Sequence, residues 1–183
     1  VPGQVLELLE ARFGSERLAR LSPDAVRYWT NAHAKEAAHR GQQLFGLVEE
    51  WGSVAEDLCK PFEAELVARL GAVYRSDWYR SFKKSRREPY GSKTPTLGHI
   101  LFLLHDYQAL PPELRAQVDA AIDIQRSRGL KKRLELLASE HRNAGAHPES
   151  YSIDKLNELM TLLYGRESGL WDQFLDALVP STE

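Results

Sequence analysis

The sequence predicts an all-α domain, and three observations lead there. Leu and Ala together number 46 against 18 for Ile, Val and Thr, and small or straight-chain residues favour helices where β-branched ones favour strands. Apolar positions recur at helical spacing through most of the chain, and no segment reads as a defensible strand. At 183 residues and 43% hydrophobic content the chain has the size of one globular domain, large enough to bury a core without disulfides or structural metal. The expected architecture is therefore a single bundle of six or seven helices spanning residues 1–183.

The elements follow in order. Residues 4–21 carry Val5, Leu8, Leu9, Phe13 and Leu18 in an amphipathic pattern interrupted near Gly14. Ser22-Pro23-Asp24 is a helix start: a hydroxyl to cap, proline at the first helical position, then an acid against the positive end of the dipole. This helix should run to about Trp51. Gly52-Ser53 allows a turn or kink, and helix resumes through Leu58, Phe62, Leu66 and Leu70 to about Phe82. Residues 83–95 break the pattern and read as an exposed basic loop. A short, very apolar helix follows with Leu97, Ile100, Leu101, Leu103 and Leu104. Pro111-Pro112-Glu113 opens the next, and after Gly129 the positions Leu130, Leu134 and Leu137 carry a helix to about Ala144. The last helices hold Ile153, Leu156, Leu159, Met160 and Leu163, then Leu170, Phe174 and Leu178.

Composition removes several functions. Twenty-four basic and 26 acidic residues leave a net charge of −2, so any contact with nucleic acid must come from a local patch. The single cysteine, Cys59, excludes an intrachain disulfide and a multi-cysteine zinc site. No apolar run is long enough to span a bilayer and no signal peptide opens the chain, so the expected setting is cytoplasmic, without a membrane partner. The chain begins Val1-Pro2-Gly3, which reads either as a processed or tagged start or as a domain cut from a longer protein.

Several weaker signals lead nowhere specific. Gly91-Ser92-Lys93-Thr94 resembles the end of a phosphate-binding P-loop, but Arg86 stands where that motif needs glycine, and no strand precedes it. The pairs His33/His39 and His99/His105 are spaced six apart, not the three or four that chelation on one helix face requires. Glu49-Glu50 and Glu63/Glu65 lack the Glu-x-x-His pattern of di-iron bundles, and no metal or other cofactor is expected. Trp29, Trp51, Trp78 and Trp171 read as packing residues rather than base-stacking platforms.

One constellation carries chemistry. The apolar helix of Leu130, Leu134 and Leu137 runs into His141-Arg142-Asn143-Ala144-Gly145-Ala146-His147-Pro148. Gly145 weakens the helix and Pro148 turns His147 away from helical geometry. That puts Arg142 in the last turn, where the dipole favours a cation, and His147 just beyond. The plain alternative is a polar helix end, with Arg142 in a surface ion pair and His147 in a turn.

This segment resembles the HEPN superfamily, whose hallmark is an arginine, a polar residue that is often asparagine, about three more residues, and a histidine. Two further segments are more loosely similar to HEPN proteins: Lys60-Pro61-Phe62-Glu63-Ala64-Glu65-Leu66 and Thr96-Leu97-Gly98. The resemblance implies a metal-independent endoribonuclease, a toxin or antiviral-defence effector, acting as a homodimer whose two motifs face one cleft. It also implies a partner that restrains it, an antitoxin or a sensor or NTPase domain in the same or a neighbouring protein. RNA cleavage by 2′-OH attack needs a proton acceptor, a cation on the pentacoordinate phosphate and a proton donor to the leaving 5′-oxygen, and it leaves a 2′,3′-cyclic phosphate. His147 supplies proton exchange near neutral pH and Arg142 a fixed fork of donors. Asn143 orients ribose or phosphate, or holds Arg142. His141, one residue before Arg142, points elsewhere and supports the site from behind.

With so little net charge, RNA would need flanking cations. The candidates are Lys83, Lys84, Arg86 and Arg87 in the basic loop, and Lys131 and Lys132 among Arg126, Arg128 and Arg133 on the helix before Arg142; these cannot all share one face. The rival readings are a non-catalytic HEPN module that dimerises or binds a nucleotide or partner, and a helical scaffold outside the family.

Overall fold

The computed structural model describes residues 2–46, 50–88, 90, 95–123, 128–142, 151–165 and 169–180. These residues are all-helical, and the one extended contact is an isolated antiparallel bridge between Ile122 and Leu178. None of the described helices is long and apolar enough to cross a membrane.

Helix α1 (Pro2–Phe13) buries Leu9 and Phe13, four residues apart, and leaves Leu8 exposed. It ends at Gly14, whose φ of +82° lies where only glycine sits without strain. A single turn, α2 (Ser15–Leu18), follows. Helix α3 (Pro23–Gln43) starts as its sequence dictates, with Ser22 Oγ accepting from the Ala25 amide at 3.3 Å. It stops eight residues short of the expected Trp51 and closes through Gly46 at φ +69°. Helix α4 (Gly52–Tyr74) is the hub, packing against α3 and against the segments at 77–85, 97–105, 112–121 and 137–142. Val54, Leu58, Phe62, Leu66 and Leu70 are buried along it. Arg75 and Ser76 end it, and Ser76 caps α5 (Asp77–Ser85) by accepting from the Tyr79 amide at 3.2 Å. The expected continuous helix to Phe82 is therefore two helices. Ten α-helices among the described residues replace the predicted six or seven, because local caps such as Ser76 cut short helices out of long apolar patterns.

Helix α6 (Leu97–His105) is buried on Leu97, Ile100, Leu101, Leu103 and Leu104. After a 3₁₀ turn (Tyr107–Ala109) comes α7 (Pro112–Ala121), and the chain beyond it pairs with the C-terminal segment through Asp123 N to Ala177 O at 2.8 Å. Helix α8 (Arg128–Leu136) continues into a π-helical turn, Leu137–Arg142. Helix α9 (Ile153–Tyr164) is capped by Ser152, and α10 (Leu170–Ala177) closes the bundle. At the core Trp29 and Trp171 stack with centroids 3.5 Å apart, and Phe62 covers the Trp171 ring at 3.9 Å. Trp29, Trp51 and Trp171 are buried packing residues, while Trp78 is part-exposed against Phe82.

The basic loop needs correction. Lys83, Lys84 and Ser85 belong to α5, and Lys83 is only 6% exposed. Its ammonium meets Glu88 at 2.5 Å and Asp106 at 2.7 Å, and Arg86 meets Glu88 at 2.8 Å. A buried ammonium stays charged only when paired, and Asp106, some twenty residues on, supplies the pairing. Gly91–Thr94 lies outside the described residues.

Candidate functional site

Arg142 reaches its place through α8. Leu130, Leu134 and Leu137 form the buried stripe, and His141, four residues beyond Leu137, continues it at 6% exposure. The backbone then widens into the π-helical turn that ends at Arg142. Such widening re-aims the side chains after it and often marks functional positions. Arg142 turns toward α4, where its Nη2 lies 3.3 Å from Glu63 Oε2; both side chains are about a third exposed. The same Glu63 oxygen accepts the Leu97 amide at the start of α6, at 2.8 Å. Three segments distant in sequence thus meet on one carboxylate: Lys60–Leu66, Thr96–Gly98 and the Arg142 motif.

Cys59 lies one turn before Glu63 and is buried. Burial pushes its thiol well above the ordinary range, outweighing the opposite pull of the nearby Arg142 charge, which disfavours the nucleophilic thiolate. His141 faces the other way: its Nδ1 is 2.7 Å from the Tyr151 hydroxyl. Burial lowers its pKa, with Glu158 and Glu140 opposing and Lys155 assisting. It is a neutral, buried support for the turn that carries Arg142. Asn143 and His147 lie outside the described residues, as does Arg126.

The remaining cations gather elsewhere. Lys83 stands over the Phe102 ring at 5.6 Å, and Lys131 Nζ is 2.8 Å from His105 Nδ1. Both groups therefore sit at the C-terminal end of α6, whereas Arg142 is joined to its N-terminal end. Eight residues of helix, about 12 Å, separate the two ends. Lys131 shares His105 with Glu135, which holds the other ring nitrogen at 2.6 Å. Lys84, Arg86, Arg87 and Lys132 are exposed.

Sequence reasoning misses Glu63. Its spacing to Glu65 speaks only to metal binding, although the looser Lys60–Leu66 similarity contains it. Among the described residues no cluster of three or more His, Cys, Asp or Glu is placed to hold a metal. Beside Glu63 a groove of about 610 Å³ opens between the first turns of α3 and the middle of α4, with Pro95 at its rim. No family model matches this chain, and comparison with characterised proteins and with solved structures finds no match.

Proposed function

We propose that the chain is a metal-independent endoribonuclease of HEPN type that cleaves RNA by 2′-OH attack. The observation that supports this reading best is the convergence on Glu63. The three segments that resemble HEPN proteins are far apart in sequence, and they meet at one carboxylate in contact with the motif arginine.

In this reading Arg142 holds the scissile phosphate and stabilises its charge as it becomes pentacoordinate. The guanidinium has five N–H donors in a planar fork, and the Glu63 contact fixes its orientation while leaving donors for the phosphate. A preorganised cation of this kind lowers the barrier without reorganising at the moment of reaction. His147 takes the 2′-OH proton or gives one to the leaving 5′-oxygen, and Asn143 orients the ribose or phosphate. One Arg–His pair supplies one base or one acid, so the active species is a homodimer with two motifs along one cleft, completing both roles.

The 3.3 Å pair also favours a second reading, since an arginine at a plain polar helix end makes such a contact. Then the chain is a non-catalytic helical module. Incubation with total RNA in excess EDTA separates the two. The first predicts fragments ending in 2′,3′-cyclic phosphate with wild-type protein and none with Arg142→Ala. Intact RNA with both proteins supports the module. A monomeric mass with full activity would remove the homodimer.

A further inference from the structure

The groove beside Glu63 has a character that phosphate binding does not explain. On α4 the residues Lys60, Glu63, Ala64 and Val67 fall on one stripe. The small Ala64 leaves a trough open toward α3, where Asp24 and Tyr28 stand one turn apart. Tyr28 is 38% exposed and lines this trough, with the Arg27 guanidinium 5.2 Å from its ring centroid. At about 610 Å³ the space falls within the roughly 300–1,000 Å³ of small-ligand sites.

Three charged side chains line it, Asp24, Lys60 and Glu63, and each has a partner: Lys60 is held by Asp57 at 2.6 Å and by Glu56, Glu63 by Arg142, and Asp24 by Arg27. A carboxylate that can exchange its partner attracts a neutral group that presents N–H donors. Unpaired RNA bases are recognised in this way, stacked on an aromatic side chain and read along their Watson–Crick edge. Guanine presents two adjacent donors, N1–H and N2–H, which match the two oxygens of a carboxylate, an acceptor-only group. Adenine and cytosine set one amino donor beside a ring nitrogen acceptor, and uracil sets one N–H between two carbonyls. Each of those acceptors faces a carboxylate unfavourably. Glu63 is engaged by Arg142 and by the Leu97 amide. Asp24 is bound at the surface by Arg27, at 2.8 Å, an exposed pairing that costs little to exchange.

We infer that this groove seats a guanine base, with Tyr28 stacked on the ring and Asp24 accepting from N1–H and N2–H, next to the phosphate held by Arg142. The inference rests on the ribonuclease reading for the nucleotide's orientation, and its test does not depend on cleavage. The measurement is equilibrium binding of the four nucleoside 5′-monophosphates to the full chain and to Tyr28→Ala, Tyr28→Phe and Asp24→Asn. GMP should bind best, about tenfold over UMP, and Tyr28→Ala should weaken it about tenfold while Tyr28→Phe retains it. Asp24→Asn should erase the preference for GMP and leave UMP unchanged. Equal binding of all four nucleotides to the wild type, or full GMP affinity in Tyr28→Ala, overturns the inference. If RNA is cut and Arg142→Ala is dead, yet both groove variants keep the wild-type cut sites, the base site falls and the nuclease stands. If GMP binds through Tyr28 and no RNA is cut, the groove stands and the nuclease falls.

Discussion

Glu63 and Glu65 stand two residues apart on α4, facing nearly opposite sides of the helix, and each meets an arginine. Glu65 is 1% exposed; it accepts from Arg69 Nε at 2.5 Å and from the Ser22 amide at 2.6 Å. Arg69 gives three more donors to the carbonyls of Ala121, Val179 and Arg20, at 3.1, 2.7 and 2.6 Å. It ties the start of α3, the end of α7 and the C-terminal segment to α4. Arg142, about a third exposed, is paired with Glu63. The same pair of residue types thus serves two ends. A guanidinium with four of its five donors spent on its own fold holds the chain together and has little left to bind with. One held at a single edge, with donors to spare, is equipped to take an anion.

On the proposed ribonuclease reading, the largest expected effect is on cleavage. Arg142→Ala and His147→Ala should each lower the rate by about 10²–10⁴-fold, the usual contribution of a positioned acid–base or charge-stabilising group. Loss of the part-exposed Arg142–Glu63 pair should cost about 1 kcal/mol of stability. Cleavage rate and thermal midpoint measured on the same preparations test the contrast. An Arg142→Ala protein that melts like Arg69→Ala would put Arg142 among the structural residues.

Arg69→Ala should behave in the opposite way. It leaves the Glu65 carboxylate buried without its counter-ion and takes the arginine donor from the carbonyls of Val179 and Arg20, while that of Ala121 still accepts from the Val179 amide, which places the cost at about 3–5 kcal/mol. For a chain of this size that lowers the melting midpoint by at least about 6 °C. The fraction still folded should cleave at the wild-type rate. A shift under about 2 °C would mean that water replaces the guanidinium and the contrast is false.

The contrast also marks what the sequence could carry. Ser22-Pro23-Asp24 was legible because a cap is a local event, one side chain answering an amide three residues on. The buried stripe of Leu130, Leu134 and Leu137 was legible from spacing alone. The break at Ser76 was hidden inside an apolar pattern that continues on both sides of it. The burial of Lys83 was hidden because one of its two counter-ions, Asp106, comes from just past the end of α6. The π-helical turn was hidden because Leu137–Arg142 is built of ordinary helix formers. Glu63 was visible as a residue and as part of a loose similarity. Its partners were not, since they depend on how α4 packs against two other segments.

A smaller, opposite probe is Glu63→Gln. The amide oxygen still accepts from Leu97 while the charge on Arg142's partner is removed, so the fold should keep its stability to within about 1 kcal/mol. Cleavage should fall about tenfold if Glu63 fixes the arginine's geometry. A faster enzyme would instead identify Glu63 as a competitor that phosphate displaces.

Acid should weaken the scaffold behind both arginines. Burial lowers the pKa of His33, with Glu36 opposing, and that of His141, with Glu158 and Glu140 opposing. His33 lies against the Tyr164 hydroxyl, and His141 against that of Tyr151. A base whose folded pKa is depressed binds its proton more readily in the unfolded chain. Stability is therefore full above the ordinary value of 6.5 and is lost as pH falls through the lowered folded values. Asp57 and Asp106, held below their ordinary 3.8 by lysine partners, act only in stronger acid. The melting midpoint should decline from about pH 7 to pH 5, and His33→Gln with His141→Gln should flatten the decline. An unchanged slope in the double variant would locate the titration elsewhere.

The smallest effect belongs to cations at the far end of α6. Lys83 and Arg86 are engaged by Asp106 and Glu88, so reversing their charge disturbs folding and RNA binding together and answers neither question. Lys84 and Arg87 are exposed, and Arg87 takes a left-handed backbone, φ +55°, with its side chain turned to solvent. If the RNA backbone passes this end of the molecule, Lys84→Glu with Arg87→Glu should weaken binding. The slope of log affinity against log salt should fall by roughly 0.7 for each single-strand phosphate that these cations no longer neutralise. Chemistry on bound RNA should be unaffected, because neighbouring Lys83 and Arg86 are tied to Asp106 just past the C-terminal end of α6, whereas Arg142 is joined to the N-terminal end. The measurement is affinity for an RNA analogue without a 2′-OH, across a salt series. An unchanged slope would confine substrate binding to the Glu63 end, which leaves Arg142 and the neighbouring groove to hold the RNA without help from this cluster.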